Sequence, residues 1–125
     1  MLIGKGSFRG IPDHVLEGTF TLTRQSDGSI LFETSDTFMF DGSPEPDWGL
    51  NKGVPASNSE PGLEAQMEAT RFGNMPTGPL TERIPVTGKQ TGTIPAGFDL
   101  DTVDTIVLWC FRFPTRLGVG PIERV

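Results

Sequence analysis

Alternation of apolar and polar residues dominates the N-terminal third of the chain. Residues 18–23 place Phe20 and Leu22 on one side and three threonines on the other, which is the two-residue period of a half-buried β-strand. Residues 30–34 repeat this alternation, and the Asp-Gly pair at 27–28 between the two segments is a strong hairpin signal. The pattern therefore predicts a β-hairpin in this part of the chain.

The most apolar segment lies in the C-terminal third. Residues 105–113 are apolar at nearly every position and stop at Pro114, which is typical of a central strand buried on both faces. Alternate residues of a strand share a face, so we expect Cys110 and Arg112 on one face and Trp109 in the core on the other. Short strands separated by turns predict an all-β fold, an antiparallel β-sandwich, with a small β-barrel as the alternative.

Weaker patterns indicate the remaining elements. Short apolar runs at 37–40 and 48–50 predict two more strands, and the run at 92–94 predicts another that stops at a proline. Residues 51–89 are rich in Gly, Pro, Ser and Asn, which predicts one long irregular excursion. Within it, residues 61–69 have apolar residues four apart. This segment is predicted to form either about two helical turns or an irregular surface loop.

Composition narrows the function classes. The 125 residues suit one domain spanning 1–125, and 10 basic against 16 acidic residues give a net charge of -6. Such an acidic chain is a poor partner for nucleic acid, and no run of 18 apolar residues predicts a membrane span. One cysteine and one histidine exclude an intrachain disulfide and a structural zinc site built from four Cys and His ligands.

Cys110 is the main candidate for chemistry. A reactive thiol needs partial exposure and a cationic neighbour, and Arg112 would lie roughly 6.5–7 Å away along the same strand face, where it would stabilise the thiolate. His14 is the candidate proton acceptor, and a lone histidine is also able to ligate haem, which is the candidate cofactor. The alternative is that Cys110 packs in the core as a small apolar residue and His14 is a surface or capping residue.

A second hypothesis needs no chemistry at the thiol. Trp48, Asp47 and Asp41 lie in or beside a Gly/Pro-rich turn, where they are candidate ligand-binding residues of a non-enzymatic module. For Trp48 edge packing is the preferred interpretation, and a partly exposed ligand platform is the alternative. Glu45 adds a third carboxylate to this turn, which suits Ca²⁺ by ligand type, but we expect a solvated acidic turn and no metal site. The partner is then a small ligand or a protein, whereas the redox hypothesis requires a redox partner protein or small ligand.

Several motifs in order along the chain resemble the DM13 domain family. The matching elements cover nearly the whole chain; they are Gly6-Ser7-Phe8, His14 four residues before Gly18, Asp41-Gly42, residues 46–50, residues 88–95, the Val107 to Cys110 strand and Leu117-Gly118. The chain departs from the family at Gly92, where the family has Tyr, and at Glu45, where it has Gly.

The resemblance to DM13 implies a fold, a function and a compartment. It implies a β-sandwich that acts in electron transfer or redox chemistry through the cysteine of the Trp-Cys strand. The family often occurs beside cytochrome-like or DOMON domains in exported proteins, so an exported or periplasmic location is implied. Residues 1–4 are too short for the apolar part of a signal peptide, and a cytoplasmic location is the alternative.

Overall fold

The structure is a computed structural model that describes residues 1–73, 75–76 and 83–125. Strands dominate the described residues, accompanied by one α-helix, α1, at Leu63–Thr70 and a 3₁₀ turn at Leu100–Thr102. The strands are β1 Leu2–Ser7, β2 Arg9–Gly10, β3 Leu16–Glu17, β4 Thr19–Arg24, β5 Ile30–Thr34, β6 Met39–Phe40, β7 Pro46–Asn51, β8 Val86–Thr87, β9 Thr91–Ile94, β10 Thr105–Cys110, β11 Thr115–Pro121 and β12 Glu123–Arg124.

Two antiparallel sheets form a sandwich. The first sheet has the strand order β12-β1-β4-β5-β9, and the second has the order β2-β11-β10-β7. Phe20, Leu22 and Phe32 of the first sheet join Trp48 and Leu108 of the second in one apolar core. The predicted all-β sandwich is confirmed, and none of the sheets formed by the described residues closes into a barrel.

The predicted hairpin is the pair β4–β5. Leu22 lies opposite Phe32, so the apolar residues of the two strands share the core face. The turn closes with a hydrogen bond from the Gln25 backbone N–H to the Ser29 carbonyl oxygen. A third, smaller sheet of β3, β6 and β8 lies beside the sandwich, and β6 is the ordered part of the strand expected at 37–40.

The central strand β10 is buried along its whole length. Leu108 and Cys110 face the sandwich core, whereas Trp109 belongs to a second apolar cluster on the other face, as the alternation predicts. The strand nevertheless ends at Cys110, and residues 111–114 form a turn. Its end coincides with the ends of its neighbours, because Cys110 pairs with Pro46 of β7 and with the first residue of β11.

Helix α1 covers the outer face of the second sheet. Leu63 and Met67 are buried against Val107 and Trp109, which confirms the helical alternative for this segment. Gly49 of β7 permits the close approach, because a Cβ atom there would lie 2.8 Å from the Met67 sulfur. A helix of eight residues is marginal by itself, so this packing stabilises it. Among the described ranges no helix is long and apolar enough to cross a membrane.

The excursion predicted at 51–89 is therefore more ordered than expected. It contains α1 and β8, and its residues 74 and 77–82 lie outside the described residues. Side chains of α1 also form hydrogen bonds with backbone groups at the open edge of β7. Gln66 Nε2 donates to the Leu50 carbonyl oxygen, and Thr70 Oγ1 accepts from the Leu50 N–H. Covering an edge in this way prevents further strand pairing there.

Candidate functional site

Cys110 is enclosed by protein at the end of β10. The residue is 2% exposed, and its Sγ lies 2.9 Å from the Pro44 carbonyl oxygen. A carbonyl oxygen only accepts hydrogen bonds, so the S–H group must donate, and a thiolate here would place its charge against that oxygen. The Phe113 N–H donates to the same sulfur over 3.3 Å. The thiol therefore joins the segment before β7 to the turn after β10.

Arg112 does not occupy the position expected of it. Because β10 ends at Cys110, Arg112 lies in the exposed turn at 111–114 and not two residues along the same strand face. Its guanidinium carbon is 5.7 Å from the centroid of the Phe113 ring, and in the described part of the chain no hydrogen bond or ion pair joins it to the thiol. The expected pairing of Arg112 with Cys110 as strand neighbours is wrong.

His14 is held by a carboxylate from a distant segment. Its Nδ1 lies 2.9 Å from Asp41 Oδ1, and its ring stacks on Phe40 with 5.6 Å between the ring centroids. A carboxylate only accepts, so Nδ1 carries a proton and Nε2 is the nitrogen left for other partners. The His14 side chain is 14% exposed. No hydrogen bond links it to Cys110 within the described residues, so the structure does not join these two candidates.

Arg83 completes a group that the sequence did not reveal. Its Nη2 lies 2.9 Å from Asp41 Oδ2, and the same nitrogen is 3.3 Å from His14 Nδ1. Because the protonated Nδ1 cannot also accept, this longer approach is a contact without a hydrogen bond. Arg83 lies 42 residues after Asp41 in a segment without any periodic pattern, so no local signal indicated it. We call His14, Asp41 and Arg83 the His14 cluster.

Gly42 allows the cluster to form. Its φ is +105°, and a Cβ atom there would lie 2.7 Å from the backbone of Ile84, the residue after Arg83. A side chain would therefore be strained and would also push the Arg83 segment away. Val15 and Ile84, which follow His14 and Arg83 in the chain, are exposed apolar residues. Two exposed apolar residues thus adjoin the cluster along the chain.

Asp47 and Trp48 are core residues and not part of a solvated turn. Both lie on β7; Trp48 is fully buried and stacks on Phe8, with 5.1 Å between the ring centroids. Asp47 is 2% exposed on the opposite face, where Arg71 Nε donates to its carboxylate over 2.7 Å. The solvated turn expected at Asp47 is wrong, because β7 begins at Pro46 and is buried there, whereas the packing preferred for Trp48 agrees with its burial. Of the three candidate ligand-binding residues, Asp41 remains accessible.

The three carboxylates of the 41–47 segment have different partners and do not form one group. Asp41 pairs with His14 and Arg83, whereas Asp47 and Glu45 pair with Arg71, the latter over 3.7 Å. Within the described ranges no group of three or more His, Cys, Asp or Glu residues is arranged to hold a metal ion. These carboxylates therefore neutralise cations of the protein itself.

Comparisons with protein-family models, curated proteins and solved structures found no match to this chain. The resemblance to DM13 stays a hypothesis that rests on the motifs given above. Cys110 and the His14 cluster are the two places where the geometry bears on function.

Proposed function

We propose that this chain is a non-enzymatic β-sandwich binding module in which Cys110 is a structural core residue. The observation that carries the proposal is the enclosure of the thiol, which is 2% exposed and makes both of its hydrogen bonds to the backbone. A buried thiol in apolar surroundings is inert, because reactivity requires access and the thiolate form.

The His14 cluster supports the binding part of the proposal. Three chain segments bring an imidazole, a carboxylate and a guanidinium together, and the Arg83 side chain is 53% exposed. Exposed polar groups that are held in place by their neighbours bind ligands well, because little conformational entropy is lost on binding. We therefore place the contact surface of the module at this cluster.

The accessibility of the thiol tests the proposal. Native protein is treated with a thiol-reactive disulfide reagent, and the labelling rate is compared with that of a Cys110→Ala/Ser57→Cys variant, in which the single thiol occupies an exposed loop position. We expect the native Cys110 to react at least about a hundredfold more slowly than the reference and to reach its rate only in denaturant. Equal rates in native buffer would contradict the structural role.

Redox or electron-transfer chemistry at Cys110, as the DM13 resemblance implies, is the second candidate. One observation favours it: Cys110 is the last residue of β10 and is followed by an exposed turn at 111–114. Local opening of that turn would expose the sulfur without unfolding the sandwich. Fast native labelling, together with a reversible mixed disulfide formed with oxidised glutathione, would favour this candidate.

A further inference from the structure

We propose that the His14 cluster binds an organic anion, with a carboxylate or phosphate group gripped by Arg83 and His14 and an apolar body beside Val15 and Ile84. This inference rests on the proposed binding function and names the ligand class of the same site. The two head groups share the chemistry that matters here, which is a set of negatively charged oxygens that accept charge-assisted hydrogen bonds.

The Arg83 guanidinium is held in a fixed orientation before any ligand arrives. Its Nε donates to the Gly42 carbonyl oxygen over 3.2 Å, and its Nη2 donates to Asp41 and, over 3.3 Å, to the Asp13 carbonyl oxygen. Within the described ranges no hydrogen bond involves Nη1, and we assign its two N–H groups to the anion. A planar fork fixed in this way suits oxyanions, since part of the entropy of ordering the side chain is already lost.

His14 supplies the second contact. Asp41 fixes Nδ1, and stacking on Phe40 fixes the ring plane, so Nε2 has a defined direction. In the imidazolium form Nε2 donates a charge-assisted hydrogen bond to an anion. Nε2 therefore supplies a second donor on the side of the ring that faces away from Asp41.

The charges around His14 set the limits of this attraction. Asp41 and Arg83 face the imidazole directly, and Asp13 is the acidic residue of the same loop, with an exposed side chain. Asp41 is compensated by Arg83, whereas the Asp13 carboxylate opposes an incoming anion. The net charge of -6 opposes it as well, so binding depends on direct contact and not on long-range attraction.

The exposed aliphatic side chains define the rest of the ligand. Val15 follows His14, Ile84 follows Arg83, and both are exposed. An apolar body placed against them loses contact with water, which favours a ligand with an apolar part over a bare ion. The inference therefore predicts that phenyl phosphate binds more tightly than inorganic phosphate, and benzoate more tightly than acetate.

Nuclear magnetic resonance titration of the full chain tests the site. Phenyl phosphate, benzoate, inorganic phosphate and acetate are added separately, and the Arg83 Nε–H, the His14 ring nitrogens and the Val15 and Ile84 amides are observed. We expect saturable shifts at these groups on binding. Arg83→Gln should weaken binding about tenfold or more, and Asp13→Asn should tighten it. Lys89→Gln, which removes an exposed cation in a loose 3.9 Å pair with Glu33, should leave affinity unchanged.

Three results would overturn the inference. They are shifts that do not saturate for either apolar anion, equal affinity of Arg83→Gln and the parent chain, and equal binding of benzylamine, a cation of similar size. Asp13→Asn keeps the cluster intact, so the prediction stays refutable even if Arg83→Gln disturbs the loop. Thiol labelling is independent of these titrations, so failure of the anion site and failure of the structural role of Cys110 are distinguishable.

Discussion

Gly42→Ala should destabilise the fold more than a glycine substitution that meets only backbone strain. At φ +105° an alanine costs about 1–2 kcal/mol, since L side chains disfavour positive φ. The added Cβ would also lie 2.7 Å from backbone atoms of Ile84, and overpacking of this kind costs a further ~1–3 kcal/mol. The two costs together lower the free energy of unfolding by roughly 2–5 kcal/mol. If the segment around Arg83 instead detaches from Gly42, the loss is limited to the free energy with which that segment packs there.

Gly53→Ala is the matched control for this substitution. Gly53 has a φ of +85°, and no atom lies within 4 Å of the position of its Cβ, so the control measures backbone strain alone. Urea unfolding of both variants gives the difference in the free energy of unfolding, and the Arg83 Nε–H resonance reports whether the His14 cluster persists. We expect the Gly42 variant to be less stable by at least ~1 kcal/mol and to lose the Arg83 resonance shift. Equal stability with an unchanged Arg83 resonance would refute the close packing of Gly42 against Ile84.

Two other substitutions test the packing of α1 and the acid response. Met67→Ala should cost about 2–5 kcal/mol in urea unfolding because it leaves a cavity over the second sheet, whereas Glu64→Ala on the exposed side should stay within about 0.5 kcal/mol; similar losses would show that the helix is not packed as described. The Gly53 backbone N–H donates to Asp104 and lowers its pKa, so the carboxylate contributes stability that is present above its unfolded-state pKa and is lost as the pH falls through the lower folded-state pKa. Asp104→Asn should therefore flatten the loss of stability in acid, measured by thermal unfolding from pH 6 down to about pH 2. Asp36→Asn is the control, because it removes an exposed carboxylate and leaves the Gly53–Asp104 hydrogen bond in place, so it should keep the parent profile. Identical profiles for both variants would contradict the role of this hydrogen bond.

Local patterns in the chain were sufficient to predict most of the sandwich. The β4–β5 hairpin, the burial of β10 on both faces and the opposite directions of Trp109 and Cys110 all follow from residue alternation, which a strand expresses without reference to its neighbours. The two buried residues of α1 also follow from a spacing of four. These features depend on local residue patterns, so they can be predicted from the sequence alone.

The ends of strands were harder to predict, because they depend on pairing partners. The apolar run suggests that β10 continues to Phe113, but both neighbouring strands stop pairing at Cys110, so Arg112 and Phe113 enter a turn. The same reasoning applies to Asp47. Its turn-like surroundings in the sequence suggested exposure, but the pairing of β7 with β10 buries it.

By itself the sequence determined the all-β class, the central strand and the scarcity of reactive side chains, because composition and periodicity express these properties directly. Only the tertiary structure decided that the thiol is enclosed and that His14, Asp41 and Arg83 meet. These contacts join residues 27 and 42 positions apart, and no local pattern encodes which distant loops come together. That choice depends on how the sheets pack and on whether a glycine lets one backbone lie against another.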